Sequence, residues 1–256
     1  MTDSSSRGRF VWFDLITPAP ETVLEFYKGV TGWGTTVWDG PMPYTMWTNA
    51  GTPLGGVMRA PSGTKMPPHW LAYISTPEVD RTVQQAVDLG ARTIEPPTDI
   101  PTVGRFAILA DPQGAVFAGF TPQPSQPRTE AAGPAIGEFS WHELVTHDYP
   151  AAFRFYERLF GWEKGTAMDM GEAGIYQMFS RGGAPMGGMY NAPPEAPMPP
   201  AWVHYIRIPD VHRAAETVTR LGGRVTSGPM EVPGGDWIAT CTDPEGAMFA
   251  VHAKKA

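Results

Sequence analysis

Cys241 is the only cysteine in the chain. That excludes an internal disulfide framework and a cysteine-rich zinc site. Charge is also sparse: Asp, Glu, Lys and Arg make up 18% of the 256 residues, against the usual ~25%. The basic residues never gather beyond Arg7 with Arg9 and Lys254 with Lys255, and the formal net charge is −7. A nucleic-acid binder needs a basic stripe, so nucleic acid is excluded as the main partner. No stretch approaches the ~18 apolar residues of a membrane span. Residues 1–9 hold no apolar run of the kind a secretory leader needs. A cytoplasmic protein with no membrane partner is therefore expected. No glycine-rich phosphate loop is present either. Leu54-Gly55-Gly56 falls among strands and reads as a bulge or a tight approach, so no nucleotide or other cofactor is expected.

What the chain does hold is aromatic side chains and repetition. With 9 Trp, 12 Phe and 8 Tyr it is no disordered polymer. Phe10-Val11-Trp12-Phe13-Asp14-Leu15-Ile16-Thr17 returns as Phe139-Ser140-Trp141-His142-Glu143-Leu144-Val145-Thr146. Phe26-Tyr27 with Gly32-Trp33 returns as Phe155-Tyr156 with Gly161-Trp162. Leu54-Gly55-Gly56 answers Met186-Gly187-Gly188, and Asp111-Pro112-Gln113-Gly114 answers Asp243-Pro244-Glu245-Gly246. Met66-Pro67-Pro68 and Met198-Pro199-Pro200 each precede a strand and read as stiff linkers. The offset between copies is 129 in the first strand and 132 later. The chain is one unit written twice. The copies span 8–122 and 137–254, joined by a Pro/Gly/Ala/Ser-rich linker at 123–136.

Within a copy, residues 10–17 and 69–75 read as strands. Residues 20–31 and 77–89 read as helices, from the spacing of Val23, Phe26, Tyr27 and Val30 and of Val79, Val83, Ala86 and Val87. The rest divides into short strands, with Asp-Pro-x-Gly as a turn. This predicts two βαβββ modules per copy.

That order of signals resembles the vicinal oxygen chelate superfamily, whose members include glyoxalase I, bleomycin- and fosfomycin-resistance proteins and extradiol dioxygenases. The tandem form is similar to actinobacterial glyoxalase-like proteins often called hydroxylases. The resemblance implies an α+β fold of two tandem glyoxalase-like domains, with four βαβββ modules forming two curled, incomplete barrels. The copies are expected to pack on each other through apolar surface.

The resemblance also implies a divalent ion in each cup, held from the first strand of each module and from the strand after Asp-Pro-x-Gly. Those positions are Trp12, Leu71 and Ala118 in the first copy and Trp141, Val203 and Ala250 in the second. None is a ligand for a hard or borderline cation, so no metal is expected there. His142, His204 and His252 lie on the same three strands of the second copy and are the alternative set. Strand alternation puts His142 and His204 on the face under the helices and His252 on the cup face. His69, His147 and His212 read as surface residues.

The cup faces themselves read as an apolar, aromatic-walled pocket with one carboxylate each. Asp14 and Glu143 are candidate catalytic acid–base groups, since a carboxylate desolvated in such a cup gains a raised pKa. A framework role as acceptors for neighbouring donors explains the same repetition. Trp12, Trp47, Tyr73, Trp141, Tyr205, Trp237 and His252 are candidate ligand-binding residues. Trp33, Trp162, Trp70 and Trp202 read as core, and Cys241 as an inert buried thiol. The expected partner is an aromatic small molecule, sequestered or turned over by metal-free acid–base chemistry. The alternative is a metal-dependent lyase, isomerase or dioxygenase with a histidine site in the second domain. A cup filled by its own side chains is a third reading. A monomeric pseudo-dimer or a homodimer suits the duplication.

Overall fold

The structure is a computed structural model that describes residues 7–40, 44–61, 63, 66–123, 133–193 and 198–255. Most of the segment read as a linker, 124–132, lies outside the described residues. The first copy runs β1 (Phe10–Thr17), α1 (Pro20–Thr31), β2 (Gly34–Trp38), β3 (Tyr44–Asn49), β4 (Thr52–Arg59), β5 (His69–Ser75), α2 (Val79–Asp88), β6 (Arg92–Ile100), β7 (Gly104–Ala110) and β8 (Val116–Pro122). The second runs β9 (Phe139–Thr146), α3 (Tyr149–Phe160), β10 (Glu163–Asp169), β11 (Ile175–Arg181), β12 (Ala184–Asn191), β13 (Ala201–Arg207), α4 (Val211–Arg220), β14 (Arg224–Glu231), β15 (Trp237–Thr242) and β16 (Met248–Ala253).

Each copy is one eight-stranded sheet, in the order β2-β3-β4-β1-β5-β8-β7-β6 and β10-β11-β12-β9-β13-β16-β15-β14. Neither closes into a barrel. The class is α+β. Central pairs are parallel (β1 with β4, β5 with β8) because a helix lies between them in the chain, and the outer pairs are antiparallel hairpins.

The helices follow from the sequence signals. Val23, Phe26, Tyr27 and Val30 of α1 are buried, proline stands in its first turn, and Gly32 ends it at φ 78°. In α3, Asp148 caps the first turn by accepting from the Ala151 amide, and Gly161 ends it at φ 72°.

The aromatic cores cross the repeat. One compact unit consists of Met1–Trp12, Ala72–Thr129 and His142–Trp202, the other of Phe13–Leu71, Glu130–Trp141 and Val203–Ala256. Each unit thus takes the first module of one copy and the second module of the other. In the second unit the Trp70 indole donates to the Tyr27 hydroxyl (3.0 Å), which donates to Asp243 (3.2 Å). In the first unit the Trp202 indole donates to Tyr156 (3.2 Å), which donates to Asp111 (3.1 Å). Phe26 packs edge-on against Phe249, and Phe155 against Phe117. The Trp33 indole donates to the Gly137 carbonyl and the Trp162 indole to that of Gly8, each just ahead of the other copy's first strand. Trp33, Trp162, Trp70 and Trp202 are all buried, as read from their positions.

Candidate functional site

Asp14 and Glu143 stand at the same place on β1 and β9. Their strand neighbours across the parallel ladder are Gly56 of β4 and Gly188 of β12. The next strand out supplies a tyrosine in each copy. Tyr44 donates its hydroxyl to Asp14, and Tyr176 donates to Glu143 at 3.0 Å. The glycines make this geometry possible. A Cβ on Gly56 would come within 2.0 Å of the Tyr44 hydroxyl, and one on Gly188 within 2.1 Å of the Tyr176 ring. The phenol lies across bare backbone to reach the acid. The preceding glycines, Gly55 and Gly187, are needed for a different close approach, to the carbonyls of Phe13 and His142.

The second copy adds Tyr190, which stacks at 5.9 Å on Tyr176. Burial, then the charge of Glu143 and a hydrogen bond to it, push the Tyr190 hydroxyl above its ordinary range. The first copy has Met58 at the matching position. Asp14 is buried and Glu143 half-buried. Sequence reasoning found the two acids but not Tyr44, Tyr176 or Tyr190. The recurrence of tyrosine at 44 and 176 was the available signal.

The apolar candidates divide. Tyr205 is buried with Val203 and Ala250, and Trp141, Ile238 and Met248 pack against them. Tyr73 packs against Phe106 and Phe120, and Trp12 is half-buried. Trp47 is fully buried on the helix side, donates to the Gly56 carbonyl at 2.8 Å and contacts Tyr27, Trp33 and Trp70. It therefore presents no face to a ligand. Trp237 pairs with Ala253 and lays its ring 4.8 Å from that of His212 on α4. Ile238, one residue on, packs against the Tyr205 cluster.

The three histidines stand apart. His142 lies 3.9 Å from the Phe10 ring, which also contacts Trp162 and Trp202. His204 is enclosed by Phe13 and Phe139, and burial holds its imidazole down at about 3. His252 bonds Ser140 through Nδ1 and Asp236 through Nε2. Among the described residues no three His, Cys, Asp or Glu side chains gather in a way that would hold an ion. The positions where the resemblance implies ligands are carbon surfaces packed together: Trp141, Val203 and Ala250 belong to one apolar cluster. Leu71 and Ala118 are likewise buried and apolar. These residues do not fit the metal. Burial lifts the Cys241 thiol to about 12, which leaves it un-ionised at neutral pH.

Residues 138–251 match the profile of the Glyoxalase/Bleomycin resistance protein/Dioxygenase superfamily, and residues 10–119 that of the Glyoxalase-like domain. A Mycobacterium tuberculosis (strain CDC 1551 / Oshkosh) protein called "Putative glyoxylase CFP32" is 30% identical over 94% of this chain and 92% of its own length. "Anthracycline biosynthesis protein DnrV" of Streptomyces peucetius is 29% identical over 95% of this chain and 92% of its own. Among solved structures, the Mn(II)-bound glyoxalase from Novosphingobium aromaticivorans superposes with a TM-score of 0.65 at 14% identity, covering 98% of this chain and 83% of that one. The 2,3-dioxygenase LapB from Pseudomonas sp. KL28 gives 0.68 at 12% identity, covering 98% and 94%. At such identities the structures speak for the fold alone. This chain belongs to the glyoxalase/bleomycin resistance protein/dioxygenase superfamily, and its two sheets are tandem glyoxalase-like domains.

Proposed function

We propose that the chain binds a hydrophobic, aromatic small molecule and either sequesters it or performs metal-free acid–base chemistry on it. The observation that carries this reading is the repeated pair of carboxylate and tyrosine over a glycine, set among aromatic side chains. Glu143 and Asp14 are the acid–base groups. Trp12, Tyr73, Trp141, Tyr205, Trp237 and His252 are the candidate contacts, and Trp47 drops out because it is fully buried. A phenol donor holds each carboxylate at a set place and stabilises its charge, which suits a hydrogen-bond acceptor or a general base. Glu143, with Tyr176 and Tyr190, is the better equipped of the two. A full-length relative named for anthracycline biosynthesis supports an aromatic ligand, since anthracyclines are fused-ring aromatics. Among the described residues no helix is long and apolar enough to cross a membrane. We place the protein in the cytoplasm, as a monomeric pseudo-dimer or a homodimer.

The test is a tryptophan-fluorescence titration against a panel of flat aromatic natural products, with saturable quenching expected. No response across a broad panel overturns the reading. Where a bound compound is turned over, Glu143→Gln should abolish turnover while binding stays within about tenfold. Turnover that survives the change removes the acid–base role.

A further inference from the structure

Ser140, His252 and Asp236 form a constellation with no counterpart in the first copy. The Ser140 hydroxyl lies 2.9 Å from His252 Nδ1, and His252 Nε2 lies 3.0 Å from Asp236 Oδ2. Asp236 is itself held, since its other oxygen accepts the Lys255 amide at 3.0 Å. With the Asp236 carboxylate accepting from Nε2–H, a neutral His252 turns its Nδ1 lone pair to the Ser140 hydroxyl, which donates to it. Tyr205's carbonyl, the other acceptor for that hydroxyl, is farther away at 3.3 Å. Ser140 is half-buried, and the His252 and Asp236 side chains keep part of their surface in solvent.

The matching residues of the first copy are Val11, Phe120 and Gly104. The same fold thus stands there without any of the three, and they are not a framework requirement of the repeat. Beside the trio lies an apolar surface. Trp141 follows Ser140 in the chain, Ile238 is the ladder partner of His252, and both pack against the Tyr205 cluster.

From this we infer a second activity, hydrolysis of small aryl esters through an acyl-Ser140 intermediate. It shares no catalytic residue with the acid–base reading of Asp14 and Glu143. Ser140 Oγ attacks the ester carbonyl carbon as its proton passes to His252 Nδ1, and Asp236 stabilises the imidazolium that forms. The carbonyl–oxygen bond to the phenol breaks, and the leaving phenolate takes the proton from His252. Water, deprotonated in turn by His252, then attacks the acyl-serine and releases the acid and the free hydroxyl. One ester and one water give one carboxylic acid and one phenol. The ring of the ester rests on Ile238, the ladder partner of His252.

The experiment uses the full chain and p-nitrophenyl acetate. Expected are a burst of p-nitrophenolate and an acetyl mass increment on the peptide that carries Ser140. Ser140→Ala and His252→Phe, the latter the residue of the first copy, should each lower the release rate about a hundredfold, with Asp236→Asn also slow. Thermal melts of the variants report their folding, and peptide mapping of the wild type needs no variant. Acetyl groups found only on lysines or on His252, or a release rate unchanged in folded Ser140→Ala, overturn the inference.

Discussion

A single phenol bond distinguishes an acid at a set place from an acid on a strand. Tyr176→Phe removes the 3.0 Å donor to Glu143, and hydrogen bonds to charged groups contribute about 1.5–3 kcal/mol. Aromatic-ligand binding should weaken by about tenfold or more, read by the same fluorescence titration. Gly188→Ala should act in the same direction, since its Cβ must push the Tyr176 ring aside, and should cost about 1–3 kcal/mol of stability. Unchanged binding in both variants would separate the phenol from the ligand. His204 makes a prediction about pH. Burial lowers its pKa from 6.5 to about 3. A base depressed in the folded state contributes stability that is present above its unfolded pKa and is lost as pH falls below it. Asp111 and Asp243 run the other way, because burial lifts their carboxyls and their contribution grows as pH falls. His204→Ala, the residue the first copy uses, isolates the histidine. Its loss of unfolding free energy between pH 7 and 5 should be smaller than the wild type's by about 2 kcal/mol, measured by urea titration. Parallel slopes would place the imidazole in water.

At the scale of elements, the copies differ in how their helices begin. Asp148 and Asp210 cap α3 and α4 through their side chains, whereas Ala19 and Glu78 offer no such bond to α1 and α2. Ala19 has nearly the backbone angles of Asp148, φ −129° and ψ 77° against −140° and 85°. Ala19→Asp should therefore raise stability by about 1 kcal/mol and shift the melt upward. A lowered melting temperature would mean the new carboxylate meets something other than the helix amides. α1 was legible from the spacing of its buried residues and from the Pro and Gly that bracket it, whereas in α2 Val87, read as part of the inner face, is exposed and Thr82 is buried. Alternation on β9 puts Ser140 with His142 under the helices and His252 on the other face, yet Ser140 and His252 bond at 2.9 Å, so alternation alone did not settle that end of the sheet. The phase of β15 was not legible from so short a run; the pairing of Trp237 with Ala253 and of Ile238 with His252 sets it.

At the scale of the molecule, each aromatic core unites modules from both copies. Tyr27 bonds Asp243, and Tyr156 bonds Asp111. A half-chain of residues 7–123 would carry Phe26 and Tyr27 without Phe249 and Asp243, and Phe117 without Phe155 and Tyr156. It is expected to show no cooperative unfolding transition as a monomer, and to gain one when mixed with residues 133–255, followed by calorimetry. A half-chain that melts cooperatively as a monomer would contradict a shared core.

Duplication, strand and helix positions, the two acids and the apolar character of the implied ligand positions are all written in local order. Period, spacing and residue type act over a few neighbours, so the chain alone determined them. The partners of those acids were another matter. Tyr44 and Tyr176 reach Asp14 and Glu143 across glycines on the strand between, Tyr190 comes from that neighbouring strand itself, and Ser140, His252 and Asp236 come from separate ends of two modules. Contacts between residues far apart in the chain depend on strand register and on which module packs against which. Only the tertiary structure decided those.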